Sequence, residues 1–180
     1  MKLIILDRDG VINFDSVHFI KNPNEWIPIP GSLEAIALLN QNGYRVTVAT
    51  NQSGISRGLY DMATLNAIHD KMYRALGQLG GRIDAVFYCP HANEDNCSCR
   101  KPNSGMFEDI GRRFGINLLG VPCVGDSLRD LVAGVNVGCK PILVKTGKGL
   151  ETLQNDNLPE GTLVYADLAE AVKYIIQETH

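Results

Sequence analysis

Short apolar runs that each stop at a polar residue alternate along this chain with longer segments of helical periodicity, and that alternation constrains the fold more than any other feature. Residues 3–6, 46–49, 85–88, 121–124 and 141–144 read as strands. Residues 32–40, 63–79, 106–114, 128–135 and 168–176 place apolar side chains at helical spacing; in 63–79 the stripe is Leu65, Ile68, Met72, Leu76 and Leu79. Asn42-Gly43 ends the first of these helices. Such a rhythm predicts a three-layer α/β/α fold, a parallel sheet with helices on both faces. Strands that are apolar throughout fit burial on both sides.

The chain has 180 residues, which suits one core, and a single domain over 1–180 is expected. The net charge of -3 argues against a nucleic-acid binder. No apolar run approaches the ~18 residues of a membrane span, and the apolar start is too short for a signal peptide. A cytoplasmic monomer is expected, with neither a nucleic-acid nor a membrane partner. In that compartment thiols stay reduced, so the five cysteines read as metal ligands or core thiols before disulfides.

The residues at the strand ends carry the chemistry. Asp7, Thr50, Cys89 and Gly125-Asp126 each follow an apolar run, and the carboxyl ends of parallel strands form the ligand crevice of an open α/β sheet. Asp7-Arg8-Asp9-Gly10 sets two carboxylates two residues apart. Phosphate monoesters repel hydroxide, and a carboxylate nucleophile divides the hydrolysis into two steps. A cation must offset the repulsion, and a second carboxyl group must protonate the leaving oxygen. Asp7 and Asp9 can supply nucleophile and acid, or merely cap a turn.

Three further elements are weak alone. Thr50-Asn51-Gln52-Ser53-Gly54 can bind phosphate oxygens, and is equally good turn chemistry. Arg100-Lys101-Pro102 offers a fixed cation or an ordinary surface pair. Gly125-Asp126-Ser127-Leu128-Arg129-Asp130 sets Asp126 where Mg²⁺ can be held. Asp130, one helical turn on, can orient Lys101 or a metal-bound water, or sit exposed on a helix.

In their order, these four elements resemble the haloacid dehalogenase-like phosphatase superfamily, over Asp7 to Asp130. The resemblance implies a Rossmann-like sheet, Asp7 as nucleophile and metal ligand, and Asp9 as general acid/base with its carbonyl on the metal. It implies that Thr50 and Lys101 hold the phosphoryl group and that Asp126 completes the Mg²⁺ site.

Cys89-Pro90-His91 and Cys97-Ser98-Cys99 form Cys-x-His-x₅-Cys-x-Cys. Three thiolates and an imidazole are a sufficient tetrahedral set for structural Zn²⁺. Metal would order a loop with little core of its own and fix Arg100-Lys101 against the crevice; the bland alternative is a free-thiol loop with a chance histidine. Cys123 and Cys139 read as core residues.

With this loop, Asp-Arg-Asp-Gly and Thr-Asn-Gln-Ser-Gly, the chain resembles the D,D-heptose 1,7-bisphosphate 7-phosphatase family from about Lys2 to Gly147. That resemblance implies hydrolysis of the sugar's 7-phosphate in making heptose precursors of lipopolysaccharide and surface glycans. Histidinol-phosphate phosphatases share the zinc loop and Arg-Lys-Pro, but usually carry Asp where this chain has Ser53. A phospho-receiver module is a further alternative, although it needs no acid such as Asp9.

No insertion between Gly10 and Lys101 has room for a cap domain, so loops alone are expected over the site. Residues 13–21, the zinc loop and residues 56–60 are the expected cover. Substrate contacts are expected from Arg8, Asp15, Ser16, His18, Asn51, Gln52, Ser53, Arg100 and Ser127. The segment between the halves of the zinc motif borders the crevice, so its shortness bears on the anomer accepted.

Overall fold

A computed structural model describes residues 1–178. Six parallel strands form one sheet: β1 (Lys2–Leu6), β2 (Tyr44–Asn51), β3 (Ala85–Cys89), β4 (Pro122–Gly125), β5 (Lys140–Val144) and β6 (Leu163–Tyr165). Their order is β3-β2-β1-β4-β5-β6. The first strand is therefore central, and the chain winds outward from it in both directions. The register aligns Leu6 with Val48 on one side and with Val124 on the other.

The alternation of side chains along β1 explains the three layers. Ile4 and Leu6 face a core with Val46, Val48 and three helices: α1 (Ser32–Gln41), α2 (Met62–Gly77) and α6 (Leu168–Glu178). Leu3 and Ile5 face a second core with α3 (Gly105–Phe114) and α4 (Leu128–Val135). Ile4 and Leu6 are fully buried, and each such side chain contributes roughly 1.5–3 kcal/mol relative to exposure. Cys123 and Cys139 belong to the second core, as expected.

The helices begin where the sequence offers a cap. Asp61 accepts from the Thr64 N–H at 2.9 Å to start α2, and Asp61 and Thr64 lie three residues apart, as an N-cap requires. Ser127 and Asp130 form a capping box that starts α4.

Besides two single 3-10 turns, at Pro23–Glu25 and Asn93–Asp95, one helix and one strand escape the sequence reading, α5 (Gly149–Gln154) and β6. Both are short, and β6 is an edge strand whose three residues are only partly buried. Neither has enough apolar positions to reveal a period. Among the described residues, no helix is long and apolar enough to cross a membrane.

Candidate active site

The switch point of the sheet lies between β1 and β4, whose onward connections run in opposite directions. Asp7 leaves the end of β1 and Asp126 the end of β4; the Asp7 N–H donates to the Val124 carbonyl at 2.9 Å. Gly10 and Gly147 make room for the Asp126 carboxylate. A Cβ on Gly10 would lie 2.0 Å from Asp126 Oδ2, and one on Gly147 2.2 Å from the same atom. Both glycines have positive φ, 83° and 57°, a second reason for their type.

Lys101 is the fixed cation. It is buried; its ammonium donates to the Ala49 carbonyl at 2.7 Å and to Asp7 Oδ1 at 3.0 Å and forms an ion pair with Asp130 Oδ1 at 2.7 Å. Asn51 clasps the same residue by its backbone, accepting from the Lys101 N–H at 3.0 Å and donating to its carbonyl at 3.1 Å. Asp130 also accepts from the Ser127 N–H and hydroxyl, both at 3.1 Å. It is thus buried on the helix and paired with Lys101, not exposed.

Carboxylate oxygens of Asp7, Asp126 and Asp130 approach within 4.8 Å of one another. Asp130 is neutralised by Lys101, and its carboxyl is held below the usual range despite its burial. The other two are frustrated. Burial, then the Asp130 charge, push Asp7 up to about 7, although Lys101 opposes this. Burial, then Asp7, push Asp126 up to about 8. Two mutually repelling carboxylates at a pocket floor fit an oxygen-seeking divalent cation such as Mg²⁺.

Asp9 differs. Burial raises its proton affinity, but the Arg8 charge and hydrogen bonds from Asn13, Arg8 and Gln52 outweigh this, so its carboxyl lies below the ordinary value. Its Oδ1 accepts from Arg8 and Asn13, and its Oδ2 from Gln52.

Around this floor lies a pocket of about 250 Å³ whose wall includes residues of the 13–21 and 56–60 segments. The expected zinc-loop cover is not part of that wall, which is reached there only by Arg100 and Lys101, the residues that follow the loop. Asp7, Asp9, Asp15, Ser16, Asn51, Gln52, Ser53, Arg100, Lys101 and Asp126 all lie at its wall. Thr50 lies just behind it, buried, accepting from Gln52 Nε2 at 2.9 Å. Three residues expected as substrate contacts do not line it. Arg8 is fully buried and turned away from the pocket towards Asp9 and His69. Ser127 is spent on capping α4. His18 is exposed and outside the pocket wall, because the 13–21 loop turns Asp15, Ser16 and Phe19 inward instead.

Sequence reasoning missed Arg57, Arg129 and Lys148, which add positive charge to the wall. Lys148 also donates its N–H to Asp126 Oδ2 at 2.8 Å. Its signal was the strand-end rule already applied to Asp7, since it follows shortly after β5.

The Cys89, His91, Cys97 and Cys99 ligand atoms also meet within 4.8 Å. Cys89 Sγ lies 3.6 Å from Cys97 Sγ and 3.7 Å from His91 Nδ1; Cys99 Sγ lies 3.0 Å from Cys89 and 3.4 Å from His91. Tetrahedral bonds of about 2.3 Å to sulfur imply ligand separations near ~3.7 Å. None of the four is in a disulfide. The donor set fits a metal ion. The loop is tied to the Ser56 segment as well: the Ser56 N–H donates to the Pro90 carbonyl and its hydroxyl to Asp95.

A family model described as HAD-hyrolase-like matches residues 98–171, and one described as polynucleotide kinase 3 phosphatase matches residues 2–126. The chain is 61% identical, over 99% of its own length and 99% of the other's, to a D-glycero-beta-D-manno-heptose-1,7-bisphosphate 7-phosphatase of Bordetella bronchiseptica. The chain belongs to the heptose-1,7-bisphosphate 7-phosphatase family. It is thus a HAD-like hydrolase of phosphoric monoesters, as the order of its motifs implied. A Pseudomonas aeruginosa family member of the same name is 53% identical over 97% of this chain and 98% of its own. The crystal structure of the B. bronchiseptica phosphatase, complexed with magnesium and phosphate, superposes with a TM-score of 0.98 over 99% of both chains. That of the Burkholderia thailandensis family member, 53% identical, gives 0.79 over 98% of this chain and 99% of its own.

Proposed function

We propose that this phosphatase removes the 7-phosphate of D-glycero-beta-D-manno-heptose 1,7-bisphosphate during the making of activated heptose for lipopolysaccharide or surface glycans. One observation carries the reading. Asp7, Asp126 and Lys101 converge at the switch point of a chain that aligns end to end with phosphatases named for that sugar. Residues 1–180 act as one domain and one polypeptide in this reading.

Asp7 attacks the 7-phosphorus with a carboxylate oxygen. The bond from phosphorus to the sugar oxygen breaks as Asp9 gives that oxygen a proton. Arg8, Asn13 and Gln52 favour an ionised Asp9, but a docked phosphate dianion adds negative charge beside it and raises its hold on a proton. Water then attacks the aspartyl phosphate, Asp9 takes its proton, and phosphate leaves with Asp7 restored. Lys101 and Thr50 hold the phosphoryl oxygens throughout. Asp7, Asp126 and the Asp9 carbonyl would hold Mg²⁺, which supplies charge neutralisation at the phosphoryl group. Asp15, Ser16, Asn51, Gln52, Ser53 and Arg100 would contact the rest of the sugar phosphate.

Purified protein should hydrolyse the beta bisphosphate with a kcat/KM well above those for its alpha anomer and for histidinol phosphate. A preference for histidinol phosphate would overturn the substrate assignment.

The raised carboxyls at the floor also predict a pH signature. Asp7 and Asp126 bind protons more tightly folded, at about 7 and about 8, than at their ordinary value of 3.8. That contribution to stability is complete below pH ~4 and is lost as pH rises through about 7–8. Mg²⁺ binds the ionised pair. The gain in Tm on adding Mg²⁺ should therefore grow from pH 6 to pH 8.5. A gain independent of pH would remove these two carboxylates from the metal site.

Zinc is the metal we infer for the Cys89, His91, Cys97 and Cys99 cluster, given its thiolate-rich tetrahedral donors. Metal analysis should find about one zinc per chain. Cys97→Ser should lose it and melt at lower temperature, because a structural ion contributes folding energy. Wild-type protein purified without chelator and free of zinc would refute this.

A further inference from the structure

We propose that His69, on α2, is a positioning residue for the carboxyl group of Asp9, acting through the buried guanidinium of Arg8. The inference rests on the reading of Asp9 as the acid that protonates the leaving oxygen.

Arg8 has no exposed surface. A guanidinium carries five N–H donors and no acceptor, and burying it costs heavily unless protein groups take those donors. Nε donates to Asp9 Oδ1 at 2.9 Å, and Nη2 lies 2.8 Å from the same oxygen as an ion pair. Nη1 lies 3.1 Å from His69 Nε2. Since Arg cannot accept, the imidazole must, which fixes its proton on Nδ1. Burial, then the Arg8 charge, push the His69 pKa down to about 4, so the acceptor persists at working pH.

The placement of His69 points the same way. It is buried on the face of α2 that carries Leu65, Ile68, Met72 and Leu76 into the core. An apolar side chain would serve packing there; the imidazole adds a polar acceptor aimed at one partner. The capped helix, Met62–Gly77, gives it a rigid mount. Asp9 Oδ1 is then held by Arg8 and by Asn13 Nδ2 at 2.9 Å, whereas Oδ2 accepts from Gln52 Nε2 at 3.1 Å. One oxygen is anchored, and the other is left to carry the proton. Without His69 the guanidinium can swing, and the anchor of Oδ1 loosens.

Leaving-group chemistry separates positioning of an acid from general support of the fold. p-Nitrophenolate departs without a proton, whereas phenolate needs more help. The test measures kcat/KM, which reports the first phosphoryl transfer, for p-nitrophenyl and phenyl phosphate. Asp9→Asn should lose far more on the phenyl ester. His69→Leu should follow it, losing on the order of tenfold more on the phenyl than on the p-nitrophenyl ester. His69→Gln, whose amide oxygen can reach Nη1, should stay near wild type on both. Should His69→Leu fail to fold, His69→Asn keeps an amide that falls short of Arg8 and carries the same expectation. If Asp9→Asn discriminates between the esters while the His69 variants lower both equally, or neither, the role of His69 is refuted alone. If Asp9→Asn itself shows no discrimination, the acid assignment and this inference fall together.

Discussion

Asp7→Asn is expected to cut kcat for the bisphosphate by ~10⁴–10⁶-fold while leaving the protein folded. The amide is nearly isosteric but lacks a carboxylate's nucleophilic oxygen. Its carbonyl can still accept from the Arg8 N–H, 2.8 Å away, and from Lys101 Nζ at 3.0 Å. Removing the charge also removes repulsion, since Asp130 and Asp9 both raise the Asp7 pKa and Asp7 raises that of Asp126. The metal-free variant should therefore melt no lower than wild type at pH 8. Phosphate release and a thermal melt on one preparation decide the matter. Turnover above about 1% of wild type in this variant would exclude Asp7 as the nucleophile.

Lys101→Met should have the largest effect on stability. It deprives Asp130, which is 2% exposed, of its cation and leaves a buried carboxylate facing Asp7. Breaking a buried pair from one side costs about 3–5 kcal/mol, to be read from urea denaturation. The double variant Lys101→Met, Asp130→Asn should regain at least ~1 kcal/mol, because the stranded charge is gone. It should not regain activity, since no ammonium then faces the phosphoryl oxygens. A single variant that loses less than ~1 kcal/mol would show that the ion pair is not what fixes this corner.

The fold was legible because each central strand is a run of apolar residues closed by a polar one. The strand reading for β1 differs from the structure by one residue, and that for α4 by none. The reading of β2 stopped at Ala49, two residues early, because Thr50 and Asn51 look like turn residues and yet pair with Tyr88 and Cys89. The floor of the pocket was legible for the same reason: strand ends in a parallel sheet share one rim. Arg8 was misjudged because its neighbours Asp7 and Asp9 face the pocket, and no local pattern shows that it turns the other way. Its partner His69 is 61 residues distant and reads, in sequence, as one more position on a helix. Lys101 was placed correctly as a cation, whereas the choice of Asp130 for its partner depended on tertiary packing that spacing alone leaves open.

The clasp between Asn51 and the main chain of Lys101 separates two tasks that a loop would otherwise share. The ammonium takes its position from the sheet, through the end of β2 and the Ala49 carbonyl. Residues 92–96, between the halves of the cysteine–histidine motif, can therefore change in length or character without dragging the charge with them. The outer turns of that loop lie away from the pocket wall, so they can vary while the hydrolytic apparatus stays constant.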